Sequence, residues 1–97
     1  MKINISKEAL QWFKEEVGVE AGSNVKFFAK IYGSSPVQEN FALGFSVEEP
    51  LDAAVSTEVD GIQFYVDETD LWFFNGHDLY VEYNESYDEV EFKYIKP

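Results

Sequence analysis

From Val25 onward the apolar residues recur at every second position, and this alternation constrains the fold more than any other feature of the chain. Val25, Phe27, Ala29 and Ile31 fall on one side of an extended segment, with Lys26, Phe28, Lys30 and Tyr32 on the other. Gly33-Ser34-Ser35-Pro36 interrupts it. A second strand follows, with Phe41, Leu43, Phe45 and Val47 facing one way and Ala42, Gly44, Ser46 and Glu48 the other, and Glu49-Pro50 ends it. Residues 51–56 carry little pattern and are read as a connection. Thr57 to Ile62 reads as a hairpin closing at Asp60-Gly61, a dipeptide suited to a two-residue turn with both φ angles positive. Ile62, Phe64 and Val66 form the inward face of its second strand. Leu79, Val81 and Tyr83, then Val90, Phe92 and Tyr94, give two more strands around a turn at Asn84–Asp88.

Helical spacing occurs twice. Ile3 and Ile5 make a short edge strand before Ser6, an N-cap residue, and Glu8 then lies in the first turn where the helix dipole favours an acid. Leu10, Phe13 and Val17, extended by Ala9, form one stripe over residues 7–17, and Gly18 is placed to stop it. Asp67 is placed to cap a short second helix through Leu71-Trp72-Phe73-Phe74, with Asn75-Gly76 as its stop. The expectation is a single domain over residues 1–97, α+β and mainly β, with mostly antiparallel strands and two helices.

Charge excludes several functions. The net charge is −12, with no Arg and no Cys. Residues 1–33 carry five Lys against four Glu, whereas residues 34–97 carry two Lys against fifteen acids. Such a field repels phosphates and anionic lipid, so neither nucleic acid nor membrane is expected as a partner. No apolar run spans a bilayer and the first residues lack a signal-peptide pattern, so a cytoplasmic protein is expected. Without Cys there is no disulfide, thiolate nucleophile or thiolate-held metal cluster.

The order of these elements, with several short motifs, resembles a known family. An opening strand and helix lead to Lys30-Ile31-Tyr32-Gly33-Ser34-Ser35, then to Phe41-Ala42-Leu43-Gly44-Phe45. Asp60-Gly61-Ile62, Phe64, Val66-Asp67, Leu71 through Gly76, Asp78-Leu79 and Val81 follow in order. Together they are similar to the HesB-like domain of the A-type (IscA) iron–sulfur carriers, over nearly the whole chain. The resemblance implies a β-rich sandwich with a helix packed at one side. The carriers hold iron or a cluster through a Cys in the Gly-rich loop and a C-terminal Cys-Gly-Cys. Here the loop holds Ser34 and Ser35, and no counterpart of the C-terminal pair exists. A neutral hydroxyl replaces a thiolate poorly on iron or zinc. The resemblance therefore implies the scaffold of an iron–sulfur assembly protein without its ligands: a non-catalytic, cofactor-free protein acting through contacts with another protein.

Two sets of residues are candidate sites. His77, Asp78, Asp67 and Asp70 could together hold a cation through nitrogen and oxygen, although acids in a first helical turn and a lone loop histidine also have plain structural uses. The acids Glu82, Glu85, Asp88, Glu89 and Glu91 read as a solvated hairpin face. No Ser–His–Asp arrangement, phosphate loop or dinucleotide motif is present, so no enzyme is expected. The second set is a surface. Leu71-Trp72-Phe73-Phe74 spans too much of a helix circumference for every side chain to reach one core, so Trp72 or Phe73 should face outward. Trp12, just off the first helix stripe, extends such a patch, and Ser34 and Ser35 mark the loop 33–40 as a second working surface. A protein–protein or homodimer contact is the use expected of them.

Overall fold

The period-two segments pair into two sheets that share one core. The structure, a computed structural model, describes residues 1–31 and 33–97; Tyr32, expected on the outward row of its strand, lies outside them. The strands are β1 (Ile3–Ile5), β2 (Asn24–Ile31), β3 (Phe41–Val47), β4 (Ala53–Val59), β5 (Ile62–Asp67), β6 (Asp78–Asn84) and β7 (Glu89–Ile95). One sheet has the order β3-β2-β5-β4 and the other β1-β6-β7. β2–β3, β4–β5 and β6–β7 are antiparallel, while β1–β6 and β2–β5 run parallel. The fold is α+β and mainly β, as the alternation predicts. The parallel pairs are topological and leave no mark on the hydrophobic period.

The inward rows meet as expected. Val25, Phe27, Leu43, Ile62, Phe64 and Val66 from one sheet are buried with Ile3, Leu79 and Val81 from the other. Phe13 drives into this layer from the first helix, its ring within 5.2–6.4 Å of the rings of Phe45, Phe64 and Phe27 in edge-on geometry. That helix, α1 (Lys7–Trp12), starts where the sequence places it, with the Ala9 N–H donating to Ser6 Oγ at 3.1 Å. It then widens into a π-helical turn over Phe13–Val17, closed by Gly18 N–H donating to Phe13 O at 3.0 Å with Gly18 at φ 84°.

Two expectations need correction. β4 begins at Ala53, inside the segment read as a connection: Ala53 and Ala54 are both exposed and the pairing is irregular between Ala53 and Val55, so the alternation that turns Val55 and Val59 towards the core starts too late to mark the strand's first residues. The second helix is a 3-10 helix, Glu68–Phe74, and Asp67 does not cap it: the carboxylate turns instead to Asp52 and Lys26. The turn at Asp60-Gly61 has φ 51° and 78°, as a tight hairpin with both angles positive requires.

The second sheet face is covered as well. Tyr65 points away from the aromatic core yet is fully buried, because residues 48–52 cross over it. Its hydroxyl donates to Glu48 O at 2.7 Å, and Asp52 ties the same crossing down, its N–H reaching Asp67 Oδ1 at 3.3 Å and its carbonyl accepting Glu68 N–H at 2.9 Å.

Candidate functional site

The four residues that could have held a cation do not gather. Among the described residues no group of three or more His, Cys, Asp or Glu side chains is arranged to hold a metal ion. Each of the four is engaged with backbone instead. Asp78 Oδ1 accepts the Lys2 N–H at 2.7 Å and fixes β1 beside β6. Asp70 Oδ1 accepts the Ala29 N–H at 3.2 Å, and Asp67 accepts that of Asp52 while its other oxygen lies 3.5 Å from Lys26 Nζ. His77 Nδ1 donates to Phe74 O at 2.9 Å. These are fastenings of the fold: the three carboxylates take up backbone N–H groups at strand and turn ends, and the His77 ring adds a second donor to Phe74 O, which also accepts the His77 N–H at 2.9 Å.

The aromatic pair on the 3-10 helix divides. Phe73 is fully buried, with Tyr94 5.9 Å from it ring to ring, while Trp72 is 50% exposed and packs edge-on against Phe41 at 5.1 Å. In the 33–40 loop Ser34 is exposed. Ser35 closes a local turn, its hydroxyl accepting the Gln38 N–H at 3.1 Å and donating to Gln38 O at 3.3 Å. Gln38 reaches across to Phe73 O at 3.4 Å, so the loop is fastened to the aromatic helix.

Trp12 does not join Trp72. It lies at the other end of β3, edge-on to Phe45 at 5.9 Å, with its indole N–H donating to Asp88 O at 3.0 Å. Two concavities meet at this side chain. The larger, about 550 Å3, runs between β3 and β7, with Trp12, Leu43, Phe45 and Phe92 lining it and Lys30 and Glu89 among its polar residues. The smaller, about 250 Å3, lies between α1 and the β6–β7 hairpin and is lined by Glu8, Glu15, Glu16, Asp88, Trp12 and Tyr83. The Tyr83 hydroxyl donates to Asp88 Oδ1 at 2.6 Å, and that carboxylate, holding the phenolic proton, pushes its pKa up to about 12. An apolar cleft beside an acid-lined pocket suits a ligand that is apolar along its length and cationic at one point.

Sequence reasoning found Trp12 but missed the cleft. Residues 43–45 and 89–92 are far apart in the chain, and only the sheet order brings β3 and β7 to face each other.

Comparison with known proteins adds what geometry alone does not. No family model matches the chain. It is 46% identical over 94 residues to a Bacillus subtilis (strain 168) protein named pyruvate dehydrogenase inhibitor, covering 97% of this chain and 99% of that protein. An uncharacterized protein of Staphylococcus saprophyticus is 34% identical over 95 residues, 95% of this chain and 97% of its own length. A counterpart in Staphylococcus aureus (strain USA300) is 28% identical over 95 residues, again 95% and 97% of the two chains.

Proposed function

The chain belongs to the family of the Bacillus subtilis protein named pyruvate dehydrogenase inhibitor, and we propose that it restrains a pyruvate dehydrogenase by binding to it, as a regulator without catalysis of its own. The observation that carries this reading is the 46% identity sustained over 97% of the chain. The geometry supports it from a second side. The histidine and the buried carboxylates serve the fold, whereas the concave surface around Trp12 presents the outer edges of aromatic rings next to a group of acids, Glu8, Glu15, Glu16 and Asp88. Aromatic anchors with a charged surround are the ordinary make-up of a protein-binding surface.

The scaffold itself we read as HesB-like, on the motif order from Asp60 to Asp78. In that reading the iron–sulfur carrier shape serves protein contact, with serines where the thiolate loop would be. A purified sample carrying stoichiometric iron and sulfide would overturn the ligand-free part.

Co-elution tests the function. Mixed with purified Bacillus subtilis pyruvate dehydrogenase and run on size exclusion with light scattering, the chain is expected to move with the enzyme. Elution at its own mass at micromolar concentrations of both would overturn the proposal.

A further inference from the structure

The two sheets pack around one core and leave four edge strands, β1, β3, β4 and β7. β4 and β1, an edge strand from each, approach each other, but β3 and β7 are held apart by the cleft above Trp12. We propose that an extended, basic segment of the partner protein enters this seam and pairs as an added strand with the free edge of β3. The inference rests on the reading of the chain as a protein-binding inhibitor and names the surface that does the binding.

The register shows which backbone groups are free. Glu48 N–H donates to Asn24 O at 3.2 Å, so these residues form a hydrogen-bonded pair at the end of the β2–β3 ladder. Bonded and non-bonded pairs alternate in an antiparallel ladder. Ala42, Gly44 and Ser46 therefore bond to β2, and Phe41, Leu43, Phe45 and Val47 turn their N–H and C=O groups outward. Consistently, the Ala29 N–H, opposite Leu43, points away from β3 and finds Asp70.

Of the four sheet edges this one is left undefended. β1 has three residues, β4 is irregular near its start and carries Glu58, and β7 carries Glu89, Glu91 and Lys93. β3 reads Phe-Ala-Leu-Gly-Phe-Ser-Val, seven residues with no charge and no proline. Natural proteins blunt such edges unless they are used.

The charge names the occupant. A strand lying in the seam passes Trp12, and beyond that ring lie Glu8, Glu15, Glu16 and Asp88. Of the charged side chains lining the cleft and the pocket, Lys30 is basic while Glu8, Glu15, Glu16, Asp88 and Glu89 are acidic, so a lysine or arginine of the incoming segment fits at the acidic end, drawn by a chain of net charge −12. The same charge opposes a second copy of this chain, which would bring equal acidity to the edge.

Amide hydrogen exchange followed by NMR, with and without purified pyruvate dehydrogenase, tests the proposal. In the free chain Leu43, Phe45 and Val47 amides are expected to exchange fast and Ala42, Gly44 and Ser46 slowly; with the enzyme, the fast set slows at least about tenfold. Val47→Pro, which removes an outward N–H from a half-exposed position, is expected to weaken binding about tenfold, and Val47→Ala, which keeps it, to leave binding within about twofold. Inhibition with no slowing at these amides would overturn the strand addition while leaving the inhibitor reading intact. Slowing that grows with the chain's own concentration, without enzyme, would overturn it in favour of a self-paired dimer. Absence of both binding and inhibition would remove the inhibitor reading and this inference with it.

Discussion

The carboxylate of Asp70 accepts the backbone N–H of Ala29 at 3.2 Å, at a point where β2 has run beyond its partner. β2 pairs with β5 only over Asn24–Lys26, so Ala29 has no strand on that side. Asp70→Ala leaves a half-buried donor unpaired and should cost about 1–3 kcal/mol in urea denaturation. Asp70→Asn, which keeps an acceptor, should recover most of it. Equal losses in both variants would show that the acceptor is not what Asp70 supplies.

Lys26 holds the acids beneath the 48–52 crossing. Its Nζ lies 3.5 Å from Asp67 Oδ2 and 3.7 Å from Glu48 Oε1, and Asp67 is only 4% exposed. Lys26→Met should destabilise the fold by about 1–3 kcal/mol, because a shielded carboxylate loses its countercharge. Adding Asp67→Asn should return part of that, a coupling that a double-mutant cycle measures.

High pH should unfold the protein through its tyrosines. Burial, then the charges of Asp67, Glu48 and Glu49, push the Tyr65 pKa up to about 12, and burial alone pushes Tyr94 up to about 12. A phenol with a raised pKa in the folded state binds its proton more tightly there than in the unfolded chain. The resulting stability is intact below pH 10, the ordinary value, and falls as pH rises from 10 towards about 12. Melting temperatures across that window should drop, and Tyr65→Phe should flatten the drop while costing about 1 kcal/mol at neutral pH for the lost bond to Glu48 O. An unchanged slope in that variant would refute the assignment.

Trp72 and Trp12 should separate stability from binding. Trp72→Ala removes a half-exposed ring stacked edge-on to Phe41 and should cost about 1 kcal/mol, with inhibition unchanged. Trp12→Phe keeps an apolar floor but loses the indole bond to Asp88 O, so it should weaken inhibition with a smaller effect on melting. The reverse pattern would move the working surface to the aromatic 3-10 helix.

Most elements are legible in the sequence because local chemistry decides them. The Ser6 cap, the Gly18 stop, the Asp60-Gly61 turn and the rows from Val25 and Phe41 all appear where spacing places them. What fails is set by tertiary context. Ala53 to Ser56 form a strand only because β5 pairs with them. Asp67, Asp70, Asp78 and His77 are correctly polar but wrongly grouped, since the N–H or C=O each one satisfies is fixed by packing rather than by its type. Trp72 and Phe73 are equivalent by composition; the turn of the 3-10 helix sends one out and the other in. The cleft at Trp12 requires the sheet order, which no periodicity contains.

The most direct test is the activity of purified pyruvate dehydrogenase titrated with the purified chain. The account predicts a saturable loss of activity that levels off near one chain per binding site and weakens as salt is raised, because the acidic surface contributes to binding. Full enzyme activity at a large excess of the chain, in low salt, would contradict it.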